Sequence, residues 1–187
     1  MVPRSALVAA AWLASAAAST AQSIQPPLPY LDQGACPFEC CTYRSWTAER
    51  STTVLSERRR GARKAFDLEP GEKVAALTGL VETTAAGVVR VHEAVTVGDT
   101  GHRVELRPGD EVFMLHYQGE GFGLFWFRGK TFTDQFWGSE LGFVNGRRIF
   151  EILALPEVTW WVQIRNAKGE TGWSEHPEDY DGADQCS

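Results

Sequence analysis

From residue 46 onward, the chain alternates short apolar runs with breaks that contain Gly and Pro. The runs are rich in Val, Leu, Phe, Thr and Trp, and include KVAALTGLVETT, GVVRVHEAVTV, EVFMLHY and GLFWFRGKTF. Runs of this length and composition between such breaks are typical of β-strands. The chain shows no amphipathic helical pattern in this region, and SERRRGARKAF could form one helical turn at most. The pattern therefore predicts an all-β protein.

Two segments of the chain share one pattern. FDLEPGEKVAAL at 66–77 matches VELRPGDEVFML at 104–115 in its Leu, Pro-Gly, acid, Val and final Leu positions. Pro-Gly forms a tight turn, and the alternating strand after it buries one set of side chains. The side chains expected to be buried are Val74 and Leu77 in the first copy, and Val112 and Leu115 in the second. Because the spacing from Val to Leu is odd, we expect a β-bulge or a change of face.

A later stretch, WWVQIRNAKGETGW at 160–173, predicts a hairpin. NAKG has the composition of a hairpin turn, and ETGW begins the return strand. Strict alternation places Trp160 with Val162 and Ile164 on one face, and Trp161 with polar residues on the other. The alternation therefore predicts that Trp160 points into the core and that Trp161 is exposed.

The Pro-Gly turn with its strand and the closing hairpin resemble the bacterial SH3-like (SH3b) domains. The resemblance covers 46–80 and 157–175, and the run CPFECCTY also resembles one found in exported proteins that carry such a domain. It implies a small, strongly bent barrel of about five strands. It also implies a binding module that recognises a component of the cell envelope.

The sequence departs from that family in the placement of its closing hairpin. About 80 residues separate Leu77 from Trp160, and the second copy of the repeat lies in this gap. GLFWFRGKTFTDQFW could close that second copy as a hairpin with RGK at its tip. Either a second SH3-like unit at about 88–150 is inserted into the first, or the whole of 46–180 is one enlarged barrel. We favour two nested or packed units.

The N-terminus has the pattern of a secretory signal peptide. Arg4 precedes an apolar run over 6–18, and Ser19 and Ala21 have the spacing that signal peptidase accepts. We expect cleavage after Ala21, a Pro- and Cys-rich leader over 22–45, and a secreted or periplasmic protein. No other stretch approaches the roughly 18 apolar residues of a membrane-spanning helix. The mature chain would have 17 basic and 24 acidic residues, a net charge of −7 that disfavours nucleic-acid binding.

The four cysteines are expected to form disulfides, because export places them in an oxidising compartment. Three of them, Cys36, Cys40 and Cys41, lie within six residues, and Cys186 lies in the C-terminal tail over 181–187. We expect Cys186 to join Cys40 or Cys41, with Cys36 taking the other. A bridge between adjacent cysteines would be strained. The long bridge would stabilise the fold by about 4 to 5 kcal/mol.

The sequence contains no pattern that supports catalysis. Ser139 in GSELG lacks the G-x-S-x-G spacing and its strand-to-helix context. A cysteine peptidase needs a thiolate facing a histidine, and the cysteines lie only at the ends of the mature chain. The histidines are scattered, at His92, His102, His116 and His176. We therefore expect no enzyme activity and no catalytic residues.

Metal binding is not expected either. The spacing of Cys36, Cys40 and Cys41 does not match C-x2-C, and adjacent cysteines strain a tetrahedral site. In DYDGADQC, the glycine at 182 comes too early for a calcium loop, and no Glu closes it. The sequence therefore predicts no metal and no cofactor.

The remaining candidate residues are those that could bind a ligand. Alternation places Trp126 beside Arg128, away from its neighbouring phenylalanines, and we expect Trp126 and Trp161 to be exposed. Exposed aromatic side chains among polar groups suit peptide or glycan binding. RRRGARK at 58–64 adds five positive charges. The predicted ligand-binding residues are Tyr117, Trp126, Trp161, Arg58, Arg59 and Arg60.

These observations, with the resemblance, predict a non-catalytic exported binding module that recognises peptidoglycan or a peptide through an aromatic groove. Two other classes stay open. One is a structural or interaction protein that binds an exported partner protein, and the other is a small cell-wall hydrolase.

Overall fold

A computed structural model of the protein describes residues 25–38, 40–99, 101–135, 142–144 and 146–183. Antiparallel β-strands dominate this part of the chain, and it contains no α-helix. The all-β prediction is therefore confirmed. The predicted signal peptide, Ser139 and Cys186 lie outside the described residues. Within the described ranges, no helix is long and apolar enough to cross a membrane.

The strands fall into two long series. The first is β1 (Tyr30–Gln33), β2 (Ser45–Ala48), β3 (Thr52–Leu55), β4 (Lys64–Leu68), β5 (Lys73–Ala85), β6 (Gly87–Val91), β7 (Val95–Val97), β8 (Val104–Leu106) and β9 (Glu111–Gly119). The second is β10 (Phe122–Phe127), β11 (Lys130–Asp134), β12 (Phe143–Val144), β13 (Arg147–Arg148), β14 (Phe150–Ala154), β15 (Glu157–Arg165), β16 (Thr171–Ser174) and β17 (Tyr180–Asp181). A 3-10 helix over Pro177–Asp179 precedes β17.

The larger sheet has the strand order β17-β2-β5-β15-β16-β3-β4, with β1 also paired to β5. Strands from both ends of this order bury side chains in one core, so the sheet curls into a half-barrel. This core includes Trp46, Val54, Leu68, Val74, Ile164 and Tyr180. The smaller sheet has the order β11-β10-β9-β6-β14. Its own core includes Val89, Val112, Met114, Phe125, Phe132 and Phe150.

The sequence repeat is also a structural repeat. The nitrogen of Gly71 donates to the carbonyl of Ala48 at 2.7 Å, and that of Gly109 donates to Val91 at 2.8 Å. Both glycines have a positive φ, which suits the glycine of a Pro-Gly turn. The turns therefore fasten β2 to the start of β5, and β6 to the start of β9, in the same way.

The predicted bulge occurs in both copies. β15 pairs with β5 on either side of Leu77 and leaves it out of the ladder, and β10 leaves out Leu115 of β9 in the same way. Leu115 is fully buried, as predicted. The prediction that Leu77 is buried is wrong, because it is 38% exposed. Leu115 differs from Leu77 in lying where the two sheets meet, since its carbonyl accepts a hydrogen bond from Thr83 at 2.9 Å.

Equivalent strands close each copy of the repeat. The hairpin β15–β16 follows β5 in the larger sheet, and the hairpin β10–β11 follows β9 in the smaller sheet. A last strand then returns to the first strand of each copy: β17 pairs with β2, and β14 pairs with β6. Both hairpins were predicted from the sequence and are confirmed.

All five strands of the smaller sheet lie between β5 and β15 in the chain. The chain enters and leaves this segment at neighbouring points, because a Cβ at Gly87 would lie 2.8 Å from the carbonyl oxygen of Ala154 and 2.9 Å from Pro156. The segment corresponds in position to the unit predicted at about 88–150. That the two cores are separate domains stays a prediction.

A hydrogen bond between a buried histidine and a partly exposed aspartate joins the two sheets. His116 of β9 is 1% exposed, and its Nε2 lies 2.8 Å from Oδ2 of Asp32 in β1. Its Nδ1 lies 2.7 Å from the carbonyl oxygen of Tyr117, which can only accept a hydrogen bond. β1 belongs to the segment predicted as an extended leader, and this pair anchors it to the smaller sheet.

Candidate functional site

Three cavities are linked in a row by shared lining residues, and we call them the aromatic groove. The first, of about 360 Å³, is lined by Trp160 and Tyr180 and shares Phe38 with the second, of about 410 Å³. The second shares Phe122 and Thr133 with the third, of about 350 Å³. Phe38 and Phe122 therefore form two aromatic ridges between the cavities.

Trp160 is positioned by the core and by a short chain of hydrogen bonds. It lies on β15 opposite Val81, and its ring contacts Trp46 of the core at 6.2 Å between ring centroids. Its Nε1 donates to the hydroxyl of Tyr43 at 3.2 Å, and that hydroxyl donates to the carbonyl of Ala35. Burial raises the pKa of Tyr43 to about 12, so the phenol stays protonated and keeps donating near neutral pH.

The cysteine loop, residues 35–41 without the undescribed residue 39, supplies Phe38. A disulfide joins Cys36 to Cys41, with their Cα atoms 5.6 Å apart. The ring of Phe38 meets that of Trp160 edge to face, with 5.1 Å between centroids. The loop is thus closed by a covalent bond and docked through Ala35 and Phe38. Such constraints reduce the conformational freedom of the Phe38 side chain.

Phe122 follows a tight turn between β9 and β10. Glu120 and Gly121 both have positive φ, at 51° and 78°, and Phe122 pairs with Gly119. This is the geometry of a two-residue hairpin turn. The nitrogen of Gly121 also donates to the hydroxyl of Tyr117 at 3.0 Å. The turn leaves Phe122 36% exposed at the edge of the groove.

The prediction that Trp161 is exposed is wrong. Alternation correctly separates Trp160 from Trp161, but Trp161 is 2% exposed and Trp160 is only partly buried. The indole nitrogen of Trp161 donates to Oε2 of Glu82 at 3.0 Å. The loop between β3 and β4 lies over this face, with Arg58 stacked 5.1 Å from the ring centre of Trp173. Polar neighbours along β15 did not indicate solvent exposure here, because the indole is buried and bonds to a carboxylate of the adjacent strand β5.

Tyr117 and Trp126 do not form a common groove with Trp161. Tyr117 pairs with Gly123 of β10, and Trp126 lies three positions further along that strand. Side chains separated by an odd number of positions point to opposite faces of a sheet. Both aromatic side chains are partly buried, and the indole nitrogen of Trp126 is buried without a hydrogen-bond partner among the described residues. Trp126 is therefore only partly exposed, which confirms its predicted exposure only in part.

The basic loop does not flank the aromatic groove. Arg58 stacks on Trp173, Arg59 pairs with Glu57 at 2.8 Å, and Arg60 pairs with Glu175 at 2.7 Å. The loop borders a separate polar cavity of about 390 Å³, which Gly61 and Glu175 help to line. The charges of Arg59 and Arg60 are therefore matched by carboxylates within the protein.

Part of the cysteine prediction is confirmed. Cys36 bonds to Cys41, which is one of the pairings that the sequence allowed. Cys40 is also in a disulfide. That Cys186 closes the second bridge stays a prediction, because Cys186 lies outside the described residues.

The histidine side chains of the described residues have partners within the protein. The histidine rings of the described residues contact a carboxylate or a carbonyl: Glu151 for His92, Asp99 for His102, Asp32 and Tyr117 for His116, and Glu178 for His176. In the same residues, no group of three or more His, Cys, Asp or Glu side chains is arranged to hold a metal ion.

Sequence reasoning missed the residues that line the groove. Phe38 lies inside the cysteine cluster, where no local pattern indicates whether its ring is exposed. Phe122 follows Glu-Gly, a weak turn signal that could have placed it at the start of a strand. The prediction that Trp160 points into the core is correct in part: its ring packs against the core, and it also lines a cavity.

Comparison with known protein families, with curated proteins and with solved structures gives no match.

Proposed function

We propose that this protein is a non-catalytic exported binding module that recognises a component of the cell envelope, peptidoglycan or a peptide, through the aromatic groove. The observation that carries the proposal is the pair of aromatic side chains, Phe38 and Trp160, which a disulfide and a hydrogen-bond chain hold at the surface. Concave sites with rigid aromatic walls and a few polar groups are typical of ligand binding.

We further propose that each copy of the repeat is an SH3-like unit. Three features of each copy support this. The Pro-Gly turn precedes a long bulged strand, that strand pairs with a closing hairpin, and a last strand returns to the first. The resemblance in the sequence implies a small bent barrel of this kind. The groove then lies where the two units and the cysteine loop meet.

Export is part of the same proposal. The Cys36–Cys41 disulfide supports it, because such bonds persist in oxidising compartments. The N-terminal signal pattern of the sequence supports it as well. The protein would then act in the periplasm or outside the cell, where peptidoglycan and exported peptides are accessible.

The proposal predicts that the groove aromatics control retention on purified peptidoglycan. We expect Trp160→Ala and Phe122→Ala each to weaken binding about five- to thirtyfold, because aromatic anchors carry much of the binding energy. Leu155→Ala is the matched control, since Leu155 is 66% exposed and lies outside the groove. The measurement is the bound fraction in a pull-down, with circular dichroism to confirm folding.

Unchanged retention of the folded Phe122→Ala and Trp160→Ala variants would show that the groove is not the site. Wild-type protein left in solution would instead favour a peptide or a partner protein as the ligand.

A further inference from the structure

The charges along the aromatic groove are of one sign. Glu178 and Asp181 line the first cavity, Glu120 lines the second, and Asp99 and Asp134 line the third. No described Lys or Arg lines any of the three cavities. Backbone hydrogen bonds from Gly101 and His102 lower the pKa of Asp99, so this carboxyl is ionised at neutral pH.

The polar cavity beside the basic loop differs from the groove in this respect. Its carboxylates are paired with arginines: Glu175 with Arg60 at 2.7 Å, and Asp179 with Arg50 at 3.5 Å. In the groove, the side-chain partners of Glu178 and Asp99 are histidines, and none of its five carboxylates pairs with a described Lys or Arg. The groove therefore carries negative charge that the described part of the protein does not neutralise. Such a concave, one-sign surface attracts a ligand of opposite charge.

The groove is also built from both sheets. Trp160 and Tyr180 belong to the larger sheet, Phe122 and Thr133 belong to the smaller one, and Phe38 of the cysteine loop lies between them. Three cavities in a row, separated by aromatic ridges, suit a chain whose side chains enter successive pockets. A compact ligand would occupy one cavity only. An extended peptide can reach all three.

From these two observations we infer that the ligand of the aromatic groove is an extended basic peptide, whose ammonium or guanidinium groups meet the carboxylates while its backbone crosses Phe38 and Phe122. The inference rests on the proposed function and adds the chemical class of its ligand. Cationic groups also bind well over aromatic faces, which adds to the attraction of the carboxylates. The ligand then contacts both copies of the repeat at once.

The test compares three fluorescently labelled octapeptides, in which Ala alternates with Lys, Gln or Glu, by anisotropy in moderate salt. An octapeptide spans about 26 Å when extended. We expect the Lys peptide to bind at least about tenfold more tightly than the Gln peptide, since each exposed ion pair contributes about two- to fivefold. We expect no measurable binding of the Glu peptide.

Two charge-matched variants separate the groove from the general acidity of the protein. The groove variant combines Glu120→Gln, Glu178→Gln and Asp181→Asn. The surface variant combines Glu49→Gln, Glu105→Gln and Glu157→Gln, at three exposed positions outside the groove. We expect the groove variant to lose about tenfold in affinity for the Lys peptide, and the surface variant to lose at most about twofold.

Each other outcome overturns a defined part of the proposal. Equal losses in both variants would mean that the Lys peptide senses only the net charge, which overturns the inference. Equal binding of the Lys and Gln peptides would overturn the inference and leave the proposed function standing. The same conclusion would follow if Trp160 were needed for retention on peptidoglycan while no octapeptide bound. Binding neither to the octapeptides nor to peptidoglycan would overturn both.

Discussion

Replacing Asp32 with Ala is expected to lower the free energy of unfolding by about 2 to 4 kcal/mol. The substitution leaves Nε2 of His116 without its carboxylate partner in an environment where the imidazole is only 1% exposed. A buried polar nitrogen without a partner costs its desolvation energy, and a charged one costs more. We place the effect below that of a fully buried ion pair, because the Asp32 side chain is 27% exposed.

Asp32→Asn is the matched variant, since its amide keeps the shape and can still hydrogen-bond to the imidazole. We expect it to cost about 1 kcal/mol, so the difference between the two variants isolates the unpaired nitrogen. Glu105→Ala, at an exposed position, controls for the loss of one negative charge. The measurement is urea unfolding followed by tryptophan fluorescence. If Asp32→Ala unfolds at the same urea concentration as Glu105→Ala, the pair does not stabilise the contact between the sheets.

Gly79→Ala is expected to destabilise the protein by about 1 to 3 kcal/mol and to weaken ligand binding as well. A Cβ at this position would overlap the hydroxyl of Tyr43 and lie 2.6 Å from Nε1 of Trp160 and 2.8 Å from the carbonyl oxygen of Ala35. The two side chains could move, but Ala35 directly precedes the disulfide-bonded Cys36 and follows Gly34, whose nitrogen donates to the carbonyl of Gly79 at 2.8 Å. The added methyl therefore disrupts the hydrogen bonds that position Trp160 and the cysteine loop.

Gly101→Ala provides the control for this substitution. Gly101 has an ordinary φ, and a Cβ there would meet only the side chain of Asp99, at 3.4 Å. We expect its unfolding midpoint to stay close to that of the wild type. Measuring both variants by thermal unfolding and by peptidoglycan pull-down separates loss of fold from loss of site. A Gly79→Ala protein with wild-type stability and retention would show that this close packing is not needed.

Local patterns predicted much of the fold because short-range physics determines those parts. Pro-Gly at 70–71 and at 108–109 fixes a turn by its backbone preferences alone, and the hairpin tips also depend on local turn chemistry. The bulge followed from the odd spacing between Val74 and Leu77. Burial at the end of the repeat could not be predicted in the same way. Whether Leu77 or Leu115 is covered depends on where the other sheet packs.

The candidate site was harder to predict for the same reason. Alternation separated Trp160 from Trp161 correctly, but it does not say which face a distant loop will cover. The loop that carries Arg58 packs on Trp173, which lies on the same face as Trp161, and the cysteine loop leaves part of Trp160 open to a cavity. Phe38 and Phe122 become neighbours of one cavity only through the tertiary arrangement of segments more than 80 residues apart.

The most direct test of the account is to record the indole N–H resonances of the tryptophans by NMR while solubilised peptidoglycan fragments are added. The resonance of Trp160, assigned with a Trp160→Phe variant, is expected to shift in proportion to the bound fraction, because its ring forms a wall of the aromatic groove. The resonance of Trp161, which is buried on the opposite face, is expected to stay unchanged. Saturable shifts at Trp126 or Trp161, with Trp160 unchanged, would contradict the placement of the ligand site in the aromatic groove.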